Sequence, residues 1–592
     1  MTFRPKFLAL TFCSAAALSL AACSEPEQEL TPFETGLARL EAGDGIGAEK
    51  AFQEAMDAGV SRNEIAAFMG EAELLQGQLA EAREWLAKGE FTDEHRSRGY
   101  HMLARLEMRM GNLPAAGQAF DQALKTNMDD PELWVDIGRL RYVGGEQVQA
   151  IDAAQRAVEL GPQNAAALHF RGQLVRDAHG MAAAIPWLEA ALKLEPDNPR
   201  MLTDLAATQG ELGQAKAMLV TLRKLAKVDP GNRQTIFMQA VLAARAGKTA
   251  LARSLLQRSG NIDREVPAAM LLSGAIDLQN GNYASAAQTF DKLAKKQPEN
   301  KRLQVLLARA LSLGGNDREL VHRYGDIALR PSASPYLMAV VGRSYEQLGD
   351  RKAAAFFLDR AAQPRRSNLI AMQGSEARAL AARRAGASGD DTLSLVRELI
   401  VNGQTGQALE RSEQFWNRFA GSADASSLAG DAQLVRRNAQ AALQRYETSA
   451  KVRRPWHLAR RMIMTYRAIG QGAKAEALVA DYLRGDPGNV EATSLMATAL
   501  ADAQKWQAAA KLLDHAIAQG GSRDPGLIAL RARVAIALGD KDGGLMYAEQ
   551  AYAMQPANPM TANMLVLARN TAGQPAGPTN YLAAKARVLP AR

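Results

Sequence analysis

Residues 131–164 read PELWVDIGRLRYVGGEQVQAIDAAQRAVELGPQN, and this stretch decides the fold. Trp134, Gly138, Ala150 and Ala157 punctuate two apolar-periodic runs, and Pro162 closes the second. The pattern predicts two antiparallel helices. Small residues sit where the backbones cross, and apolar residues fill the rest of the shared face. The Pro-Gln-Asn turn ends the helical stretch.

The same arrangement extends in both directions. Pro162, Pro196 and Pro230 recur at one constant interval, and Pro298 follows after twice that interval, in "ELGPQN", "KLEPDNP", "KVDPGN" and "KKQPEN". Stepping by 34 from Gly36 gives Gly70, Ala104, Gly138, Gly172, Ala206, Ala240, Gly274, Ala308 and Gly342, all Gly or Ala. A second column, offset by twelve, is mostly Ala, from Ala48 to Ala354, with Met218 and Leu320 in the middle units. A fixed period of this length marks a repeat array. The 34-residue unit with this small-residue pattern resembles the tetratricopeptide repeat. The expected fold is therefore an all-α superhelical solenoid of about 13–15 helix pairs.

Ten units cover residues 29–368 without insertion or deletion. Residues 369–455 break the register and are expected to be an irregular helical segment with one diverged repeat. There, "RRAGASGDD" at 383–391 and "AGSADASSLAGDA" at 420–432 read as loops around one helical hairpin. The pattern returns in 456–592, with Tyr466, Ala475 and Pro487, then Ala497, Trp506 and Ala509, then Ala532, Gly539 and Pro556, and ends in a degenerate cap.

Composition agrees with this reading. A chain of 592 residues is too long for one compact core, and 47% hydrophobic with 23% charged residues excludes disorder throughout. The only two cysteines, Cys13 and Cys23, both precede Ser24, so the body has no disulfide framework or cysteine zinc site. A net charge of +8 does not call for nucleic acid. From 361 to 470, however, 17 Lys and Arg stand against 9 Asp and Glu, with dibasic pairs at 365–366, 383–384, 436–437, 453–454 and 460–461.

Residues 1–22 have the layout of a signal peptide: Arg4 and Lys6, then the uncharged FLALTFCSAAALSLAA. The end, Leu20-Ala21-Ala22-Cys23, resembles the bacterial lipobox, which implies lipidation at Cys23. Residues 23–30 then form an acidic, Pro-broken tether. Ser24 in place of Asp implies retention at the outer membrane, facing the periplasm. Anchoring there is through the lipid.

No catalytic or metal constellation emerges. None of the seven histidines pairs at i, i+4, and Gly43–Gly47 is a turn between helices rather than a phosphate loop. No cofactor or enzymatic activity is expected. A repeat solenoid works through the surface built by the first helix of each unit. Reading that face predicts His101, Arg105, Arg139, Tyr142, His169, Arg176, Arg309 and Arg343 as partner-binding residues, with stacked arginines gripping a carboxylate. The resemblance implies a scaffold that recruits a protein or peptide to the envelope. Long arrays of this kind accompany exosortase and exopolysaccharide clusters. The alternative is a module whose basic middle holds an anionic polysaccharide.

Overall fold

The computed structural model describes residues 30–575, except 261, 263–264, 299, 331–332, 363–375, 384–387 and 557. The expected leader, Cys23 and all but the end of the tether lie outside the described residues, as do Arg365, Arg366, Arg384 and the end of the cap. The described residues form 32 α-helices and no strand. They fall into two compact units, Met1–Met128 and Asp129–Arg592.

Local chemistry explains each helix pair. Asp130 caps helix Pro131–Val143 by accepting from the Glu132 and Leu133 amides, at 2.8 and 3.4 Å. Gly145, at φ +85°, takes the left-handed backbone that turns the chain into helix Gln147–Leu160. The turn prolines carry a further signal. In each Pro-x-Asn turn, the asparagine caps the next helix, as Asn164 does for the Ala167 amide at 2.8 Å and Asn232 for Thr235 at 3.0 Å. One short motif thus ends one helix and starts the next.

The small-residue column is the crossing point. A Cβ on Gly36 would sit 2.3 Å from Phe52, one on Gly70 2.4 Å from Leu86, and one on Gly274 2.6 Å from Phe290. In each case the large side chain holds the same place in the repeat, on the second helix of the same pair. Phe52, Leu86 and Phe290 are fully buried. Burying one such side chain contributes roughly 1.5–3 kcal/mol, so a column of them outweighs the weak helix propensity of glycine.

The register break is narrower than the sequence suggests. Helices Gly389–Val401 and Thr405–Arg418 form one pair, as expected. A second pair, Ala423–Val435 and Ala439–Val452, follows one repeat later. Within 420–432, expected to be a loop, residues 423–432 are therefore helix and only 420–422 turn and cap. Ser422 caps the helix through the Ala425 amide, and the Ser-, Asp- and Gly-rich run is a first helix whose small residues are buried. Gly430 plays the crossing role, with its Cβ position 2.5 Å from the Tyr446 ring.

Candidate functional site

In the first unit, His101 does not face an open groove. It is 5% exposed, with its ring 5.9 Å from that of Phe120. Arg105 is half-buried, its guanidinium 3.7 Å from Met102 Sδ.

In the second unit, the predicted residues mostly bridge neighbouring first helices. Arg139 pairs with Asp136 at 2.8 Å and lies 5.7 Å from the Phe170 ring centroid. The Tyr142 hydroxyl donates to Asp177, on the next first helix. Burial and the Asp177 carboxylate push its titration upward. His169 is only 1% exposed and sits 2.8 Å from Asp204, again one repeat on. Asp204 also accepts from Gln173 at 2.6 Å. Burial works to raise the Asp204 carboxyl, but the hydrogen bonds from His169 and Gln173 and the charge of Arg176 hold it below its ordinary range. The expectation of two open histidines is thus corrected. Three positions before the crossing residue the side chain is buried, against Phe120 of its own pair for His101 and against Asp204 of the next repeat for His169. Arg176 stands 4.0 Å from Asp177, and Arg309 is half-buried. Arg343 is the exposed one, paired with Glu346 at 2.7 Å.

Two of the cavities on this unit involve predicted site residues. The larger, about 830 Å³, is lined by Ala339, Arg343, Glu346, Arg351, Ala355, Leu358 and Asp359 of helices Pro335–Gln347 and Arg351–Ala362, with Tyr552, Met554 and Pro556 opposite. Its floor is small and apolar. Both charge signs stand at its edge. The smaller, about 290 Å³, gathers Arg176, His179, Glu211, Arg453, Arg454, Tyr482 and Asp486. Burial, followed by the nearby Arg454 charge, keeps His179 from protonating as readily as a free imidazole.

The basic middle is largely self-neutralised. Arg453 pairs with Asp424, Arg454 with Asp481 at 2.6 Å and Arg460 with Glu491 at 2.9 Å. Arg461 is 4% exposed and pairs with Asp431, 2% exposed, which also accepts from Tyr446 at 2.7 Å. Burial and then the charges of Arg461, Arg453 and Arg397 push His457 down to about 4. Sequence reasoning missed Asp431, Asp177 and Asp204. The available signal was the spacing: each acid lies about one repeat away from its basic or hydroxyl partner. Among the described residues no group of three or more His, Cys, Asp and Glu is arranged to hold a metal, and no helix is long and apolar enough to cross a membrane.

The tetratricopeptide-repeat family model matches residues 33–94, 101–165, 149–199 and 273–319. Cellulose synthase 2 operon protein C of Komagataeibacter xylinus is 26% identical over 285 residues, 47% of this chain and 20% of that protein. Bacteriophage adsorption protein A of Escherichia coli K12 is 29% identical over 123 residues, 20% of this chain and 12% of that protein. The aligned regions thus span a fifth or less of these two relatives. A solved tetratricopeptide repeat protein from Parabacteroides merdae is 17% identical, with a TM-score of 0.32, covering 40% of this chain and 93% of that one. The matched stretches are tetratricopeptide repeats, and the helix pairs described outside them continue the same period.

Proposed function

We propose that this protein is a non-enzymatic scaffold of the bacterial envelope, tethered by lipid at Cys23 to the periplasmic side of the outer membrane. It holds a partner protein that assembles or exports an envelope component, with exopolysaccharide the favoured class. The cavity of about 830 Å³ around Arg343 carries this reading. It offers an alanine-rich floor for an extended segment, Tyr552 and Met554 for apolar side chains, and Arg343 and Arg351 for a carboxylate. Similarity to an operon protein of cellulose synthesis supports the exopolysaccharide class. The leader ending in Leu20-Ala21-Ala22-Cys23 supports the anchor. The pairing of Arg453, Arg454, Arg460 and Arg461 within the chain weighs against a polysaccharide held directly by the basic middle.

The test is photo-crosslinking in intact cells. A benzophenone side chain replacing the exposed Ala355 should capture one defined partner, and Arg343→Glu should cut the yield at least fivefold. The same probe at Lys292, on the neighbouring second-helix surface of Tyr283–Lys296, should capture none. Equal capture from both sites would contradict the assignment. Cys23→Ser should release the protein from sedimented membranes. Unchanged fractionation would remove the anchor.

A further inference from the structure

Within the second unit the chain returns on itself. The Val148 amide donates to the Gly421 carbonyl at 3.2 Å, and the Arg454 amide donates to the Asp177 carbonyl at 3.0 Å. The Ala423 amide donates to Gln147 Oε1 at 2.9 Å, a bond between parts of the chain far apart in sequence. These groups share one property. Val148 and Ala423 lie in the first turns of helices Gln147–Leu160 and Ala423–Val435, and Asp177 lies in the last turn of Ala165–His179. Such end groups have no partner inside their own helix. Each finds one here from a distant repeat, so the contact is built to match helix ends.

Glycines let the backbones meet. A Cβ on Gly485 would fall 2.2 Å from the His179 carbonyl, and one on Gly180 2.7 Å from Gly485. Around this point stand Arg453 with Asp424 and Arg454 with Asp481. The buried clusters on one side, such as Val135 to Leu174, and on the other, such as Ala442 to Val479, stay separate. Within each helix pair, by contrast, alanine, leucine and aromatic side chains form a continuous core. A contact made of a few hydrogen bonds separates at far lower cost than such a core.

We infer that this contact is a reversible clasp. It opens as one unit while the helix pairs stay folded, and when closed it fixes how far the two stretches of the solenoid stand apart. In that role it sets the width of the surface on which a partner lies, a consequence that rests on the scaffold reading. The opening itself does not.

Hydrogen exchange on the full chain tests it without any partner. The amides of Val148, Ala423 and Arg454 should exchange together, at least tenfold faster than amides inside Gln147–Leu160. Gly485→Val should speed all three a further tenfold or more and enlarge the radius of gyration in small-angle scattering, with helical circular dichroism unchanged. Gly488→Ala, where a Cβ meets nothing closer than 3.9 Å, should alter neither. The clasp is overturned if the three amides exchange with the slow helix-interior set. It is also overturned if Gly485→Val leaves dimensions and exchange unchanged, or if it melts the helices. Partner capture enters none of these readouts, so this inference and the proposed function fail separately.

Discussion

The pair at 62–86 and the pair at 389–418 solve the same crossing in opposite ways. In the first, Gly70 on the leading helix admits Leu86 from the following one. In the second, the leading helix carries Val396 at the crossing, and Ser412 takes the place that Leu86 holds in the first, with both side chains fully buried. The sizes are exchanged and their sum is roughly kept. These two pairs therefore keep a similar volume at the crossing with different residue types. A second difference accompanies the first. The later stretch buries a charged pair, Asp431 with Arg461, beneath Tyr446, whereas the earlier pair buries Leu86 and Phe68 with a single carboxyl, Glu73.

The change that breaks this contrast most severely is Asp431→Ala. It leaves Arg461 charged and enclosed, which costs about 3–5 kcal/mol. Urea unfolding monitored at Tyr446 should show an early transition confined to the 389–490 stretch. A shift of under about 1 kcal/mol would mean that water reaches Arg461. Next comes Gly430→Val, which drives a branched side chain into the Tyr446 ring at 2.5 Å. Overpacking of this kind costs roughly 1–3 kcal/mol, and calorimetry should record a lower melting temperature for that stretch.

The first unit offers a pH-dependent counterpart. Glu73 is 4% exposed, its Oε2 has no hydrogen-bond partner, and burial followed by the charges of Glu49 and Glu81 pushes it up to about 7. A carboxyl raised in the folded state stabilises while protonated. Its contribution is complete below about 4.5 and is lost as pH rises through about 7. The first unit should thus lose on the order of 1–3 kcal/mol between about pH 5 and pH 8, and Glu73→Gln should flatten that slope. An identical slope in the variant would contradict the assignment. The smallest effect belongs to Arg343→Glu. Its side chain is 54% exposed, so stability should move by less than about 0.5 kcal/mol while partner capture falls.

The fold was legible where glycine and alanine mark the crossing. Gly36 through Gly342 fix ten helix pairs from spacing alone. Residues 420–432 were not legible, because Ser, Asp, Gly and Ala favour loops when read locally. Only packing shows that Ala425, Ala429 and Gly430 face a neighbour. Val396 with Ser412 was hidden for a related reason, since a search for small residues in one column cannot see a size exchanged between two. At the site, Arg343 was legible as a solvent-facing charge. His101 and His169 misled because a polar residue on the leading helix reads as open until packing, against Phe120 for His101 and Asp204 for His169, buries it.

One crossing volume, divided differently, holds both stretches, and a double-mutant cycle at Val396 and Ser412 measures this directly. Val396→Gly alone opens a void and weakens the helix, and should cost about 3 kcal/mol. Ser412→Leu alone overfills the crossing and should cost about 1–3 kcal/mol. The double variant recreates the arrangement of Gly70 and Leu86, so it should recover most of the loss, with a coupling of at least about 1 kcal/mol. Simple additivity of the two losses would contradict a shared crossing volume.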